Sequence, residues 1–119
     1  MGLAEPLRIE VTRAGERMIV SLHGELDLPN APLLRSAFDE LDLGDAMMVV
    51  LDLGELEFID STGLRTIFSA RERCIEQGRQ FAVTPGSQQV QRLLTVTRAG
   101  EHLNTIASVD APAGLEPQA

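Results

Sequence analysis

The chain has no Trp, no Tyr and no Lys, a single Cys and only four Phe in 119 residues. Each shortage excludes something. Cys74 alone cannot form an internal disulfide and leaves no Cys cluster for a structural zinc. His23 and His102 lie far apart, with no Cys or carboxylate pattern linking them, so neither a metal nor any other cofactor is expected. With aromatics so scarce, the core must come from Leu, Ile, Val, Met and the few Phe. All 10 basic residues are Arg, set against 18 acidic ones. The formal net charge of −8 argues against nucleic acid and anionic membrane as partners. No apolar run approaches the ~18 residues of a membrane span, and no apolar segment near the N-terminus precedes a cleavage site. A cytoplasmic, reducing compartment is the expectation.

What is present is the composition of an ordinary globular domain, 44% hydrophobic and 24% charged. A chain of this length holds one domain, expected over residues 1–110, which can bury roughly two-thirds of its unfolded surface. From Asp110 onward Pro, Ala and Gly dominate, and residues 111–119 are expected to form a frayed tail.

Hydrophobic periodicity divides the domain into alternating elements. Leu7 to Thr12 alternates apolar and polar, and the largely apolar Met18 to Leu22 returns as a second strand after a Gly-containing turn, the pattern of a β-hairpin. Leu33, Leu34, Ala37, Phe38 and Leu41 recur at helical spacing behind Asn30, a suitable N-cap, and Pro32, tolerated in a first turn. Met47 to Leu53 is nearly all apolar and flanked by turns, the mark of a buried central strand. Leu64, Ile67, Phe68 and Ile75 define a second helix running to about Gln77, with Gly78 as its stop. Phe81 to Thr84 reads as a third buried strand. Ser87 then caps a helix carrying Val90, Leu93 and Leu94, and Thr105 to Val109 reads as a short strand or helical turn. The order β-β-α-β-α-β-α specifies an α/β fold: a mixed sheet with an opening hairpin, parallel βαβ units and helices packed on it. Met48, Val50, Ile67, Phe68, Phe81 and Val83 are the expected core, with Leu34 and Phe38 on the inner face of the first helix.

Asp60-Ser61-Thr62-Gly63-Leu64 stands where the central strand meets the second helix. Ser61 there faces the free N–H groups and positive end of a helix dipole, favourable to a phosphate, with the Asp60 carboxylate beside it. Either residue can serve as the helix cap. Gly63 can admit a close backbone approach by a partner or relax the loop. A nucleophilic-serine enzyme is the rival reading. The Gly-x-Ser-x-Gly pattern is absent, and nothing brings either histidine to Ser61.

Gly24-Glu25-Leu26-Asp27 followed about thirty residues later by Asp60-Ser61-Thr62-Gly63-Leu64 resembles the bacterial anti-sigma factor antagonists, built on the STAS domain. The resemblance spans about Arg8 to Ile106. It implies a non-enzymatic module that binds an anti-sigma factor serine kinase and thereby releases a sigma factor. It also implies that the kinase phosphorylates the serine matching Ser61, that the phosphorylated form lets go, and that a serine phosphatase resets the switch. Asp27 matches the family's acidic residue near that serine. The implied partner surface comprises Asp27, Leu28, Asp60, Thr62, Gly63 and Arg65, with Leu64 either joining it or entering the core. STAS units also serve anion transporters and larger assemblies, so a scaffold or transport-associated role is the alternative. Members often carry Thr-Gly-Leu after the third helix, where this chain reads Thr97-Arg98-Ala99.

Overall fold

The computed structural model describes residues 6–112. β1 (Arg8–Ala14) and β2 (Arg17–Leu26) form an antiparallel hairpin in which Ala14 lies opposite Arg17. The chain continues through α1 (Ala31–Glu40), β3 (Met48–Ile59), α2 (Ser61–Glu76), β4 (Gln80–Val83) and α3 (Gln88–Val96), then a 3-10 turn at Ala99–His102. The sheet order is β1-β2-β3-β4, with β3 parallel to both neighbours. This is the α/β architecture expected from the sequence.

α1 carries the chain from β2 to β3 and α2 from β3 to β4, each step moving one place in the same direction across the sheet. Right-handed crossovers of that kind set their helices on one face. On that face Val20, Leu22, Val49 and Leu51 meet Leu34 and Phe38 of α1, Leu64 and Ile67 of α2, and Val90 of α3. A smaller cluster, Ile19, Met48, Val50 and Ala82, is closed by Ile106, with Val109 and Ala111 packed against it. Thr105 makes one parallel bridge to Val83, and Arg17 Nη1 donates to the Val109 carbonyl at 2.9 Å. Beyond that single bridge the segment forms no regular element. Of the expected tail, residues 113–119 lie outside the described residues.

Two expectations need correction. β2 and β3 run past Leu22 and Leu53, to Leu26 and Ile59. Their extensions pair with each other, His23 with Glu55 and Leu26 with Ile59, through two register shifts that place extra residues in β3. Such bulges bend a strand without ending it, so glycines that resemble turn residues lie inside the sheet. Phe68 is only half-buried, at the margin of the core, and Ile75 is 48% exposed. The inward stripe of α2 is instead Leu64, Ile67, Ala70 and Cys74. Burial pushes the Cys74 thiol up to about 11, so it stays protonated at neutral pH. Where family members often carry glycine after the third helix, Arg98 takes the left-handed conformation, φ 62°, just after α3. A side chain there costs roughly 1–2 kcal/mol that glycine would not.

The burial difference along α2 is testable by urea unfolding. Ile67→Ala should cost about 2–5 kcal/mol, as for other enclosed aliphatic side chains. Phe68→Ala should cost less despite removing more atoms, because part of its ring already meets water. The reverse order would mean the helix face is wrongly assigned.

Candidate functional site

The site begins with the end of β3. Asp60 follows Ile59 in an extended conformation and is the N-cap of α2, its Oδ1 accepting the Gly63 N–H at 2.8 Å. Its second oxygen, Oδ2, accepts the Leu28 N–H at 3.1 Å. One carboxylate therefore joins the start of α2 to the loop between β2 and α1. The Asp60 N–H completes the link by donating to the Leu26 carbonyl at 3.2 Å. With Asp60 as cap, Ser61 is the first helical residue and is exposed.

The neighbouring loop is ordered from within. The Asp27 carbonyl accepts from the Asn30 and Ala31 amides, and Asp27 Oδ1 accepts from Asn30 N–H at 3.1 Å. Asn30 occupies the cap position of α1 but makes no side-chain cap bond. Its Nδ2 donates instead to the Glu25 carbonyl at 3.0 Å, tying the loop back to β2. Asp27 thus organises the turn that the sequence credits to Asn30.

Gly63 is buried. A Cβ at this position would lie 2.3 Å from the Leu26 carbonyl oxygen and 2.8 Å from Leu26 Cγ. The glycine admits a close approach, and the approaching backbone belongs to β2 of the same chain. Leu64 points into the core. Leu28 is 66% exposed, Arg65 is exposed one helical turn beyond Ser61, and Asp27 and Thr62 are partly buried. The structure therefore brings Asp27, Leu28, Asp60, Ser61, Thr62 and Gly63 into one pair of linked loops, with Arg65 beside them.

Two further residues belong to this end of the molecule. Phe58, 38% exposed, pairs with Glu25 near the end of the sheet. Gln89 of α3 hydrogen-bonds to the backbone of Ile59. Neither carries a sequence signal: Phe58 lies beyond where the apolar run of β3 breaks, and Gln89 is one of several polar residues on its helix. His23 pairs with Glu10 at 3.0 Å across the hairpin, and His102 sits in the exposed 3-10 turn. No group of three or more metal-binding side chains occurs among the described residues.

Removing the Asp60 carboxylate should have two separable effects. Asp60→Ala loses a helix cap, worth about 0.5–2 kcal/mol in chemical denaturation. It also frees the Leu28 amide, so hydrogen exchange there should rise more than in β2. A loss of stability without faster Leu28 exchange would show that the carboxylate does not link the loops.

A four-stranded mixed sheet that opens with a hairpin, carries its helices on one face and presents a capped serine at the start of α2 defines a STAS domain. The family model for that domain matches residues 8–111. The chain is 33% identical over 92 residues to the anti-sigma F factor antagonist of Paenibacillus polymyxa, covering 76% of this chain and 79% of that protein. It is 30% identical over 92 residues to the anti-sigma-F factor antagonist RsfB of Mycobacterium tuberculosis, covering 76% and 75%. Its fold is similar to that of an anti-sigma factor antagonist from Mycobacterium paratuberculosis, with a TM-score of 0.79 at 24% identity over 91% of this chain and 93% of that one. A sulfate transporter family protein from Wolinella succinogenes shares the fold at a TM-score of 0.69 and 18% identity, covering 83% of each chain. The chain belongs to the STAS-domain anti-sigma factor antagonists, a family of regulatory proteins rather than enzymes.

Proposed function

We propose that this protein binds an anti-sigma factor that is also a serine kinase, frees the sigma factor held by it, and is switched off when that kinase phosphorylates Ser61. A serine phosphatase then resets the switch, and the whole cycle runs in the cytoplasm. The anti-sigma factor as partner follows from the relatives' own designations. The observation that carries the switch is an exposed hydroxyl on the first residue of α2, held by a cap whose two oxygens are both engaged. Gly63 and Leu64 N–H groups are satisfied by Asp60, which leaves the Ser61 and Thr62 amides to face a phosphate.

Within this reading Leu28, Thr62 and Arg65 meet the partner directly, while Asp27, Asp60 and Gly63 hold the two loops in register. Phe58 adds an apolar contact at the rim. Incubation with the partner kinase and Mg-ATP, followed by peptide mass spectrometry, is the direct test. One phosphate on Ser61 is the expected result. Phosphate elsewhere, or none, would defeat the proposal. Arg92 on α3 serves as the surface control: Arg92→Glu should leave kinase binding nearly unchanged.

A further inference from the structure

β4 is a short strand. It pairs with β3 only from Met48 to Leu51, so that edge of β3 has no neighbouring strand beyond Leu51. Buried backbone N–H and C=O groups left unpaired are costly, and their partners must come from elsewhere. Here side chains take the place of the missing strand. Thr84 Oγ1 accepts from the Leu53 N–H at 2.9 Å and donates to Asp52 Oδ1 at 2.8 Å. Farther along, Gln89 of α3 accepts from the Ile59 N–H through Oε1 at 2.9 Å and donates to the Ile59 carbonyl through Nε2 at 2.9 Å.

Gln89 is the more consequential of the two. A single planar amide satisfies both backbone groups of one residue, as an adjacent strand would. Ile59 is buried, with its side chain in the main core, so solvent is a poor substitute for that amide. The next residue is Asp60, whose N–H and carboxylate join the two loops, and the one after it is Ser61. We infer that Gln89 is a positioning residue for Ser61: its amide fixes the backbone from which the Asp60 cap and the Ser61 hydroxyl project. α3, distant from the serine in sequence, is thereby coupled to the switch. The clamp stands on geometry alone, and only its effect on phosphate transfer rests on the reading of Ser61 as phosphoacceptor.

The test uses the full chain with Gln89→Met, which keeps the length of the side chain and removes both polar atoms. Gln88→Met, at the exposed neighbouring position, is the control. Amide hydrogen exchange of Ile59 and Asp60 should accelerate about tenfold in Gln89→Met, while Val20 and Leu22 in β2 keep wild-type rates. With the partner kinase, kcat for Ser61 should fall about tenfold with KM little changed, because Leu28 and Arg65 still dock. Packing without a clamp would leave both readouts at wild-type values. Unchanged exchange at Ile59 overturns the inference, as does equal acceleration at Val20. If Gln89→Met fails to fold, Gln89→Glu keeps the acceptor for the Ile59 N–H but sets a second carboxylate oxygen against the Ile59 carbonyl in place of the donor, so exchange should accelerate at Asp60, on the displaced peptide, and not at Ile59. Wild-type protein that takes up no phosphate would count against the switch, and the exchange measurement would still decide the clamp.

Discussion

Ser61→Ala is expected to take up no phosphate and to remain bound to the kinase in the presence of Mg-ATP, where the wild type is released. The reason is electrostatic and local. A phosphate on Ser61 brings about −1.5 to −2 charges at neutral pH. The adjacent Asp60 carboxylate cannot turn away, because one oxygen holds Gly63 and the other holds Leu28. Unit charges ~8 Å apart at an effective dielectric of ~20 repel by about 2 kcal/mol, roughly 30-fold in an equilibrium constant, before salt screening. The α2 N-terminus returns ~0.3–1 kcal/mol, and Arg65 one turn along adds ~0.2–0.5 kcal/mol. The fold therefore tolerates the modification. A partner packed against Ser61 meets the same charge together with the bulk of the phosphate, so the loss appears in binding. Ser61→Asp should bind more weakly than wild type, although one carboxylate is a poor substitute for a phosphate. Calorimetric titration with and without Mg-ATP reads both variants. Normal phosphate stoichiometry in Ser61→Ala would move the acceptor elsewhere, with Thr62 the next residue to test.

Gly63→Ala should be the most damaging single-methyl change in the site. The added carbon would stand 2.3 Å from the Leu26 carbonyl oxygen and 2.8 Å from Leu26 Cγ, and Leu26 is fully buried. A flexible side chain could move aside, but the nearer obstacle is backbone. The same carbonyl accepts the Asp60 N–H, so pushing it away breaks the link between the loops. Overpacking typically costs about 1–3 kcal/mol, and the upper end is expected here. Partner binding should fall further than stability, because the displaced start of α2 carries Ser61 with it. Gly78→Ala is the comparison: its φ of 77° strains an L residue, but the space around it is open. That change should lower stability by roughly 1–2 kcal/mol and leave partner binding alone. Gly63→Ala with wild-type melting temperature and affinity would contradict the close approach.

These two residues mark how far the sequence could be read. Asp60 and Ser61 lie in a strand–loop–helix context that period and capping chemistry make visible, because both depend on residues a few positions apart. The same holds for the hairpin turn at Gly15, the apolar start of β3 and the Ser87 cap of α3, whose Oγ accepts from the Val90 N–H. Gly63 was visible as a glycine but not in its purpose. What it must avoid is Leu26, and no local pattern brings that carbonyl to it. Phe68 shows the same limit: periodicity places it on the apolar side of α2, but the width of the buried stripe depends on how α1 and the sheet meet that helix.

The residue order by itself determined the element types, the α/β class and the serine at the head of α2, since each follows from backbone propensity and side chains near in sequence. Only the tertiary structure decided that β2 and β3 extend to Leu26 and Ile59, because each extension exists through pairing with the other. It alone joined Leu28 to Asp60 and Gln89 to Ile59, contacts made 32 and 30 residues apart. Hydrogen bonds of that kind depend on which edges and loop amides the packed sheet leaves without partners, and that is settled only once the chain has folded.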